Sequence, residues 1–201
     1  MKTLIAIPCM EMVHADFMKS MLELEKDGDT SFAIIKNSLI YNARNAIAGN
    51  AIKYGFDRVL WLDSDMIFPR NTLKLLSEDL DSGLDYVSGI CWTRSDPSKP
   101  TLYSDLWYKV EENEASVGSK NIEEVPKGLG EIAASGFGCV MTSTTLLKKL
   151  VDRWGAPFTP MMGFGEDLAF CWRVKEVGMK MHCDGRVWCG HIGSRIYDGI
   201  E

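Results

Sequence analysis

The sequence predicts an α/β fold with a mixed, mostly parallel central sheet flanked by helices, and three observations predict it. Strand-length apolar runs alternate with segments of helical spacing from the amino terminus to about residue 91. The run RVLWL at 58–62 is almost continuously apolar, as in a central parallel strand covered on both faces. A chain of 201 residues, 46% of them hydrophobic, can bury a full core without staples, which points to one domain over 1–201.

The elements follow in order. Residues 3–9 (TLIAIPC) form a buried strand that Pro8 helps to end. Phe17, Met21 and Leu24 fall at helical spacing within 14–26, and Asp27, Gly28 and Asp29 make a turn. Residues 31–36 (SFAIIK) are a second strand. Ala43, Ile47, Ala51 and Tyr54 share one face of a helix over 41–54, which Gly55 stops. After the strand at 58–62, Asn71 caps a helix through about Leu80, and 86–91 is another strand. The second half departs from this rhythm. Residues 101–110 and 130–142 read as strands in antiparallel or mixed pairing, with a polar, irregular loop over 111–128 between them. Helices at 144–154 and 166–177 precede short strands at 180–183 and 187–189. Within the one domain, the division expected is a first half, 1–92, and a second half, 93–201.

Composition excludes several classes. A formal net charge of −6 disfavours a broad nucleic-acid surface. The six cysteines include no C-x-x-C pair, and most lie in apolar runs, as small buried hydrophobes do in a reducing compartment. The first eight residues are too short an apolar run for a signal peptide, and no stretch approaches ~18 apolar residues. The expectation is a cytoplasmic protein with no transmembrane segment, of bacterial, phage or viral origin.

Polar residues gather at strand and helix ends. Asp63, Ser64 and Asp65 follow the central strand, at the carboxyl edge where open α/β sheets bind ligands. Carboxylates at i and i+2 of an extended chain share a side, and their repulsion is relieved by Mg²⁺ or Mn²⁺. The same three residues also make an ordinary polar turn. Glu166 and Asp167 open a helix after a glycine-flanked loop, where the dipole favours carboxylates and where a general base could stand. His191 lies between glycines just past a strand, placed either to ligate a metal beside Asp65 or to sit on the surface. Arg44 and Asn45 start a helix, and Arg44 either binds a diphosphate or base edge or is a solvated charge. His182, Cys183, Cys189 and His191 form a competing zinc set, though without the usual C-x₂₋₄-C spacing.

Taken together, IAIPCM, the ARN helix start, LWLDSDM, SGFGCVMTSTTLLKKL, GFGEDLAFCWRVKEVG and the terminal GHIG resemble the GT-A glycosyltransferases, in particular family 2-like proteins. The resemblance spans nearly the whole chain. It implies a GT-A, Rossmann-like fold and metal-dependent transfer from a nucleotide-sugar donor, with a UDP-sugar favoured. By the same resemblance Asp65 and His191 bind Mn²⁺ or Mg²⁺, and Asp63 binds metal-bound water or the donor ribose. Pro8, Cys9 and Arg44 line the nucleotide with Ser64, and Gly136, Phe137 and Gly138 border the transferred sugar. Asp167 matches the base of inverting members, and Glu166 contacts hydroxyls of donor or acceptor. The loop at 111–128 either closes over the donor to exclude water or is plain surface disorder. The acceptor is unidentified, and the chain is short for the family, which calls for an oligomer or a larger parent chain to complete the acceptor wall. The rivals are a catalytically silent nucleotide-sugar-binding module and a nucleotidyltransferase. The second would need a basic, glycine-rich loop where this chain has IPCMEMVHAD.

Overall fold

The computed structural model describes residues 1–26, 28–111, 114–161 and 163–199. Asp27 of the expected turn, and Glu112 and Asn113 of the expected loop, lie outside them. The strands are β1 (Lys2–Cys9), β2 (Asp29–Lys36), β3 (Arg58–Leu62), β4 (Met66–Ile67), β5 (Tyr86–Ile90), β6 (Leu102–Glu111), β7 (Glu114–Asn121), β8 (Leu129–Ile132), β9 (Ala134–Ser135), β10 (Cys139–Ser143), β11 (Met181–Trp188), β12 (Gly190–Ile192) and β13 (Ile196–Tyr197). The helices are α1 (Ala15–Glu23), α2 (Ile40–Lys53), α3 (Thr72–Asp81), α4 (Thr144–Trp154) and α5 (Glu166–Glu176).

A seven-stranded sheet runs in the order β2-β1-β3-β10-β5-β11-β8. Strands β2, β1, β3, β5 and β11 point one way; β10 and β8 oppose them. Strands from both halves of the chain share this sheet, because β10 inserts between β3 and β5. Side chains alternate along each strand, so two cores form, one on each face. Leu4, Ala6, Val59 and Trp61 face α2, α4 and the aromatic cluster of Phe137, Phe158 and Phe170. Ile5, Ile7, Leu60 and Leu62 face the opposite way, with Phe17 of α1 and Leu73 and Leu76 of α3. Both flanking strands of the centre, RVLWL and YVSGI, are buried throughout, as their unbroken apolar character requires.

Local signals set the helix ends. Ser143 Oγ accepts from Leu146 N at 3.0 Å and caps α4, and Gly155 at φ 71° ends it. In α2 the expected face is buried at Ala43, Ile47 and Ala51, but Tyr54 is exposed because the helix ends before it.

The second half corrects several expectations. Residues 114–121 are not loop: β7 pairs antiparallel with β6, placing Gly118 opposite Trp107. A Cβ on Gly118 would overlap the Trp107 indole, so the ring takes the place of a missing side chain across the strands. Val117 of β7 lies 3.0 Å from where a Gly163 Cβ would stand, so the hairpin packs on the loop before α5. The single strand expected at 130–142 is three, β8, β9 and β10, broken at Ala133 and at Gly136–Gly138. The strands expected at 180–183 and 187–189 are one, β11, whose register shifts between Cys183 and Trp188. No helix among the described residues is long and apolar enough to cross a membrane.

The β11 irregularity carries a carboxylate pair. Asp184 is fully buried and receives Arg186 Nε at 3.0 Å and Nη2 at 2.8 Å; the same Nη2 lies 3.3 Å from Asp79 Oδ1. Burial, reinforced by Asp184, pushes the Asp79 carboxyl up to about 6, and its Oδ2 has no hydrogen-bond partner. The folded state therefore binds a proton more tightly here than the unfolded chain, so stability falls as pH rises from the ordinary carboxylate value through about 6. Asp79→Asn should raise the melting temperature at pH 8, by roughly 1–2 kcal/mol of stability, with the gain vanishing near pH 4. Thermal melts of both proteins across that range check this; a gain independent of pH would refute the carboxylate repulsion.

Candidate functional site

Strand order reverses at β1: β2 lies on one side and β3 on the other. A crevice opens beyond the carboxyl ends of strands at such a reversal. It holds a cleft of about 580 Å³ lined by Pro8, Cys9 and Met10 at the end of β1, residues 37–40 after β2, and Asp63, Ser64 and Asp65 after β3. Pro8, Cys9 and the three residues of the carboxylate turn are thus where the sequence put them. Met10 and residues 37–40 were missed, although the same sheet-edge rule applied at the end of β2 points to them. Asn37 there adopts φ 55°, a left-handed conformation asparagine tolerates, and its N–H donates to Cys9 O at 3.2 Å.

The carboxylate turn is pinned from several directions. Asp63 N donates to Gly138 O (3.1 Å), Met66 N to Asp63 O (3.2 Å), His14 N to Ser64 O (3.4 Å) and Ile192 N to Asp65 O (2.8 Å). A Cβ on Gly138 would be tight, 3.0 Å from Met66 Sδ and 3.1 Å from Cys91 Sγ. Because the segment turns instead of staying extended, the two carboxylates do not share a partner, contrary to the i, i+2 expectation.

Asp63 Oδ1 accepts from Arg44 Nη2 at 2.7 Å, and Arg44 Nη1 donates to Glu166 Oε1 at 2.9 Å. Arg44 is only 2% exposed, with its guanidinium 5.1 Å from the Phe137 ring centre and 6.0 Å from that of Phe158. It therefore cannot line a nucleotide, as the resemblance implied; it is a buried bridge between the end of β3 and the start of α5. Phe137, likewise, is buried in the aromatic cluster and is not among the residues lining this cleft, while Gly136 donates to Thr101 O at 2.8 Å. Burial raises the Asp63 carboxyl above its usual range; Arg44 opposes the rise, and Asp65 and Glu166 add to it.

Asp65 looks the other way. Its Oδ2 lies 3.4 Å from His191 Nε2 and 3.2 Å from Arg94 Nη1. Strand β12 sets His191 there by pairing it with Met66 of β4, directly after the turn. Burial works against the Asp65 charge, but His191 and Arg94 outweigh it and hold the carboxyl below its usual range. Burial alone would lower His191; Asp65 and the Trp92 carbonyl, 2.8 Å from Nδ1, raise it instead. Because a carbonyl only accepts, Nδ1 carries the hydrogen and Nε2 is the nitrogen left facing Asp65. Arg94 and Trp92 were not found from the sequence; a lone charge in a loop gives no signal until the loop is placed.

Asp167 sits half-buried in the first turn of α5, its Oδ1 accepting from Leu168 N at 2.7 Å. Burial pushes its carboxyl up, with Glu166 and Asp63 adding and Arg44 opposing. Tyr103 is close enough for Asp167, after burial, to raise its phenol. The zinc set is dispersed: Cys183 and Cys189 are buried, and His191 faces Asp65. Among the described residues no three His, Cys, Asp or Glu side chains gather to hold an ion, so Asp63 does not join Asp65 and His191 as a ligand group.

Removing Arg44 leaves two carboxylates without their buried cation. Arg44→Met should lower stability at pH 7 by roughly 3–5 kcal/mol, and less at pH 4, where protonation relieves the repulsion. Arg44→Lys should rescue little, since one ammonium cannot span Asp63 and Glu166 as a planar fork does. Urea unfolding at both pH values tests this; a loss below about 1 kcal/mol would mean that the bridge is not structural.

No protein-family model matches the chain, and no curated protein matches it. Among solved structures, the crystal structure of A197 from STIV is similar, with a TM-score of 0.71 at 17% identity over 96% of this chain and 87% of that one. At that identity the similarity shows a shared α/β fold.

Proposed function

We propose that this chain is a metal-dependent glycosyltransferase, moving a sugar from a nucleotide-diphosphate donor, a UDP-sugar favoured, to an acceptor hydroxyl. The observation that carries it is the meeting of Asp65 Oδ2 and His191 Nε2, 3.4 Å apart, at the rim of a cleft on the strand-order reversal. A GT-A type of sheet is part of the same proposal, supported by the carboxylate turn after β3 and the antiparallel β10 beside it.

Asp65 and His191 are two ligand groups of the kind a divalent ion takes when substrate phosphates and water fill its other positions. A histidine whose Nδ1 donates to a backbone carbonyl presents Nε2 as a fixed ligand, the usual second support of a metal-binding imidazole. Among the described residues, two guanidiniums, Arg44 and Arg94, meet Asp63, Asp65 and Glu166, and with Asp167 the carboxylates outnumber the arginines at this edge. Mn²⁺ or Mg²⁺ held by Asp65 and His191 would neutralise charge on a departing nucleoside diphosphate.

The chain's own groups account for the rest. Pro8, Leu39 and Ile40 offer an apolar wall for a base, and Asp63 an acceptor for ribose hydroxyls or for water on the ion. Glu166, held by Arg44, is oriented for contact with sugar hydroxyls. Asp167 is the base of an inverting displacement, taking the proton of the acceptor hydroxyl as that oxygen attacks the anomeric carbon. The raised carboxyl suits that role, since a base works best with its affinity for protons near the working pH. The segment after β1 begins MEMVHAD in place of a basic, glycine-rich loop, which weighs against a nucleotidyltransferase binding a triphosphate.

Asp167→Asn should fold and bind donor yet lose transfer by about 10²-fold or more, and the acid limb of the wild-type rate should lie above the ordinary carboxylate range. Unchanged turnover would remove Asp167 from this role. In a thermal-shift panel of UDP-, GDP-, dTDP- and CMP-sugars with and without Mn²⁺, one nucleotide should stabilise the protein only with metal. Asp65→Ala should abolish that shift. A folded wild-type protein that no donor stabilises would argue for a silent module instead.

A further inference from the structure

A diphosphate in this cleft, as the function proposed above requires, meets Asp63 and Asp65 but no lining cation. Arg44 cannot serve, being buried beneath Asp63 and Glu166. Among the described residues, the guanidinium that reaches the carboxylate turn from the solvent side is that of Arg94. Its side chain is 50% exposed, and its Nη1 lies 3.2 Å from Asp65 Oδ2, the same oxygen that His191 Nε2 faces.

The seating of Arg94 is specific. Its stem crosses Gly193, where a Cβ would come within 3.0 Å of Arg94 Cδ, and Nη1 is 3.4 Å from the Ile192 carbonyl. The loop that carries it is closed on itself. Thr93 N donates to Lys99 O at 2.8 Å, Lys99 N to Thr93 Oγ1 at 3.0 Å, and Ser98 Oγ to Thr93 O at 2.7 Å. A long side chain thus pivots on a braced base, one end over solvent and the other on the oxygen assigned to the ion.

A guanidinium and a divalent ion cannot both hold one carboxylate oxygen without strong repulsion. Resting on the metal reading, we infer that Arg94 is an exchangeable counter-ion: it neutralises Asp65 in the ion-free protein, yields that oxygen to the entering divalent ion, and then binds the donor's diphosphate. The swap couples the two ligands. The ion alone must displace Arg94 and binds weakly, whereas ion and diphosphate together give the displaced guanidinium a new anion. Arginine suits this second role because its planar fork matches phosphate oxygens.

The test uses Mn²⁺ alone and Mn²⁺ with inorganic pyrophosphate, read by loss of the free-Mn²⁺ paramagnetic resonance signal and by calorimetry. Arg94→Met keeps the stem and removes the charge. It should bind Mn²⁺ alone roughly fivefold tighter than wild type, the scale of a half-exposed ion pair. It should bind pyrophosphate in the presence of Mn²⁺ roughly tenfold more weakly, the scale of a charged hydrogen bond. Gly193→Ala, which unseats the stem, should reproduce the first effect. Equal Mn²⁺ affinity in wild type and Arg94→Met overturns the counter-ion role while leaving the metal reading intact. Tighter Mn²⁺ binding with unchanged pyrophosphate affinity overturns the transfer of Arg94 to the diphosphate. No Mn²⁺ binding by either folded protein, or binding that survives Asp65→Asn, overturns the metal reading and this inference with it.

Discussion

The buried guanidinium of Arg44 is the constraint on which the arrangement of the site depends. It has almost no contact with water, so its charge must be met inside the protein. Two carboxylates meet it, Asp63 from the end of β3 and Glu166 from the start of α5, and two aromatic faces, Phe137 and Phe158, pack over it. These groups come from positions more than a hundred residues apart, so the bridge fixes the first half of the chain against the second. It also decides the fate of Asp63, whose Oδ1 turns inward, and leaves Asp65 to face outward toward His191 and Arg94.

A second constraint is the insertion of β10 between β3 and β5. Through it Gly138 lies beside the turn after β3, and its carbonyl receives Asp63 N. The glycine packs closely against Met66 and Cys91, where a Cβ would press on both sulfurs. On the other side, β12 pairs with β4 and brings His191 to Asp65. Thus one short turn is held by backbone hydrogen bonds from three separate regions of the chain. Its side chains can then be aimed with little freedom, as a site for an ion and a nucleotide needs.

Much of this was legible in the residues. Continuous apolar runs identified β3 and β5, and the helical spacing of Ala43, Ile47 and Ala51 identified the buried face of α2. The carboxyl-edge rule pointed to Asp63, Ser64 and Asp65, the resemblance to Pro8 and Cys9, and the five line one cleft. The failures have equally local causes. EASVGSKN carries too little apolar character to announce a strand, because its pairing partner supplies the packing through the Trp107 ring over Gly118. Arg44 read as a ligand for a diphosphate or base edge, or as a solvated charge, because nothing near it in sequence shows that two carboxylates and two aromatic rings will enclose it.

The sequence by itself determined the α/β class, the strands at the centre of the sheet and the set of polar residues at their carboxyl ends. These follow from periodicity and from the short-range rules of strand and helix termini. The tertiary structure alone decided which polar groups meet: Arg44 with Asp63 and Glu166, Asp65 with His191 and Arg94, and Asp167 near Tyr103. The physical reason is that electrostatic partnership depends on distance and burial. Both are set by strand order and by side-chain direction at turns, and neither is encoded in the spacing of residues along the chain.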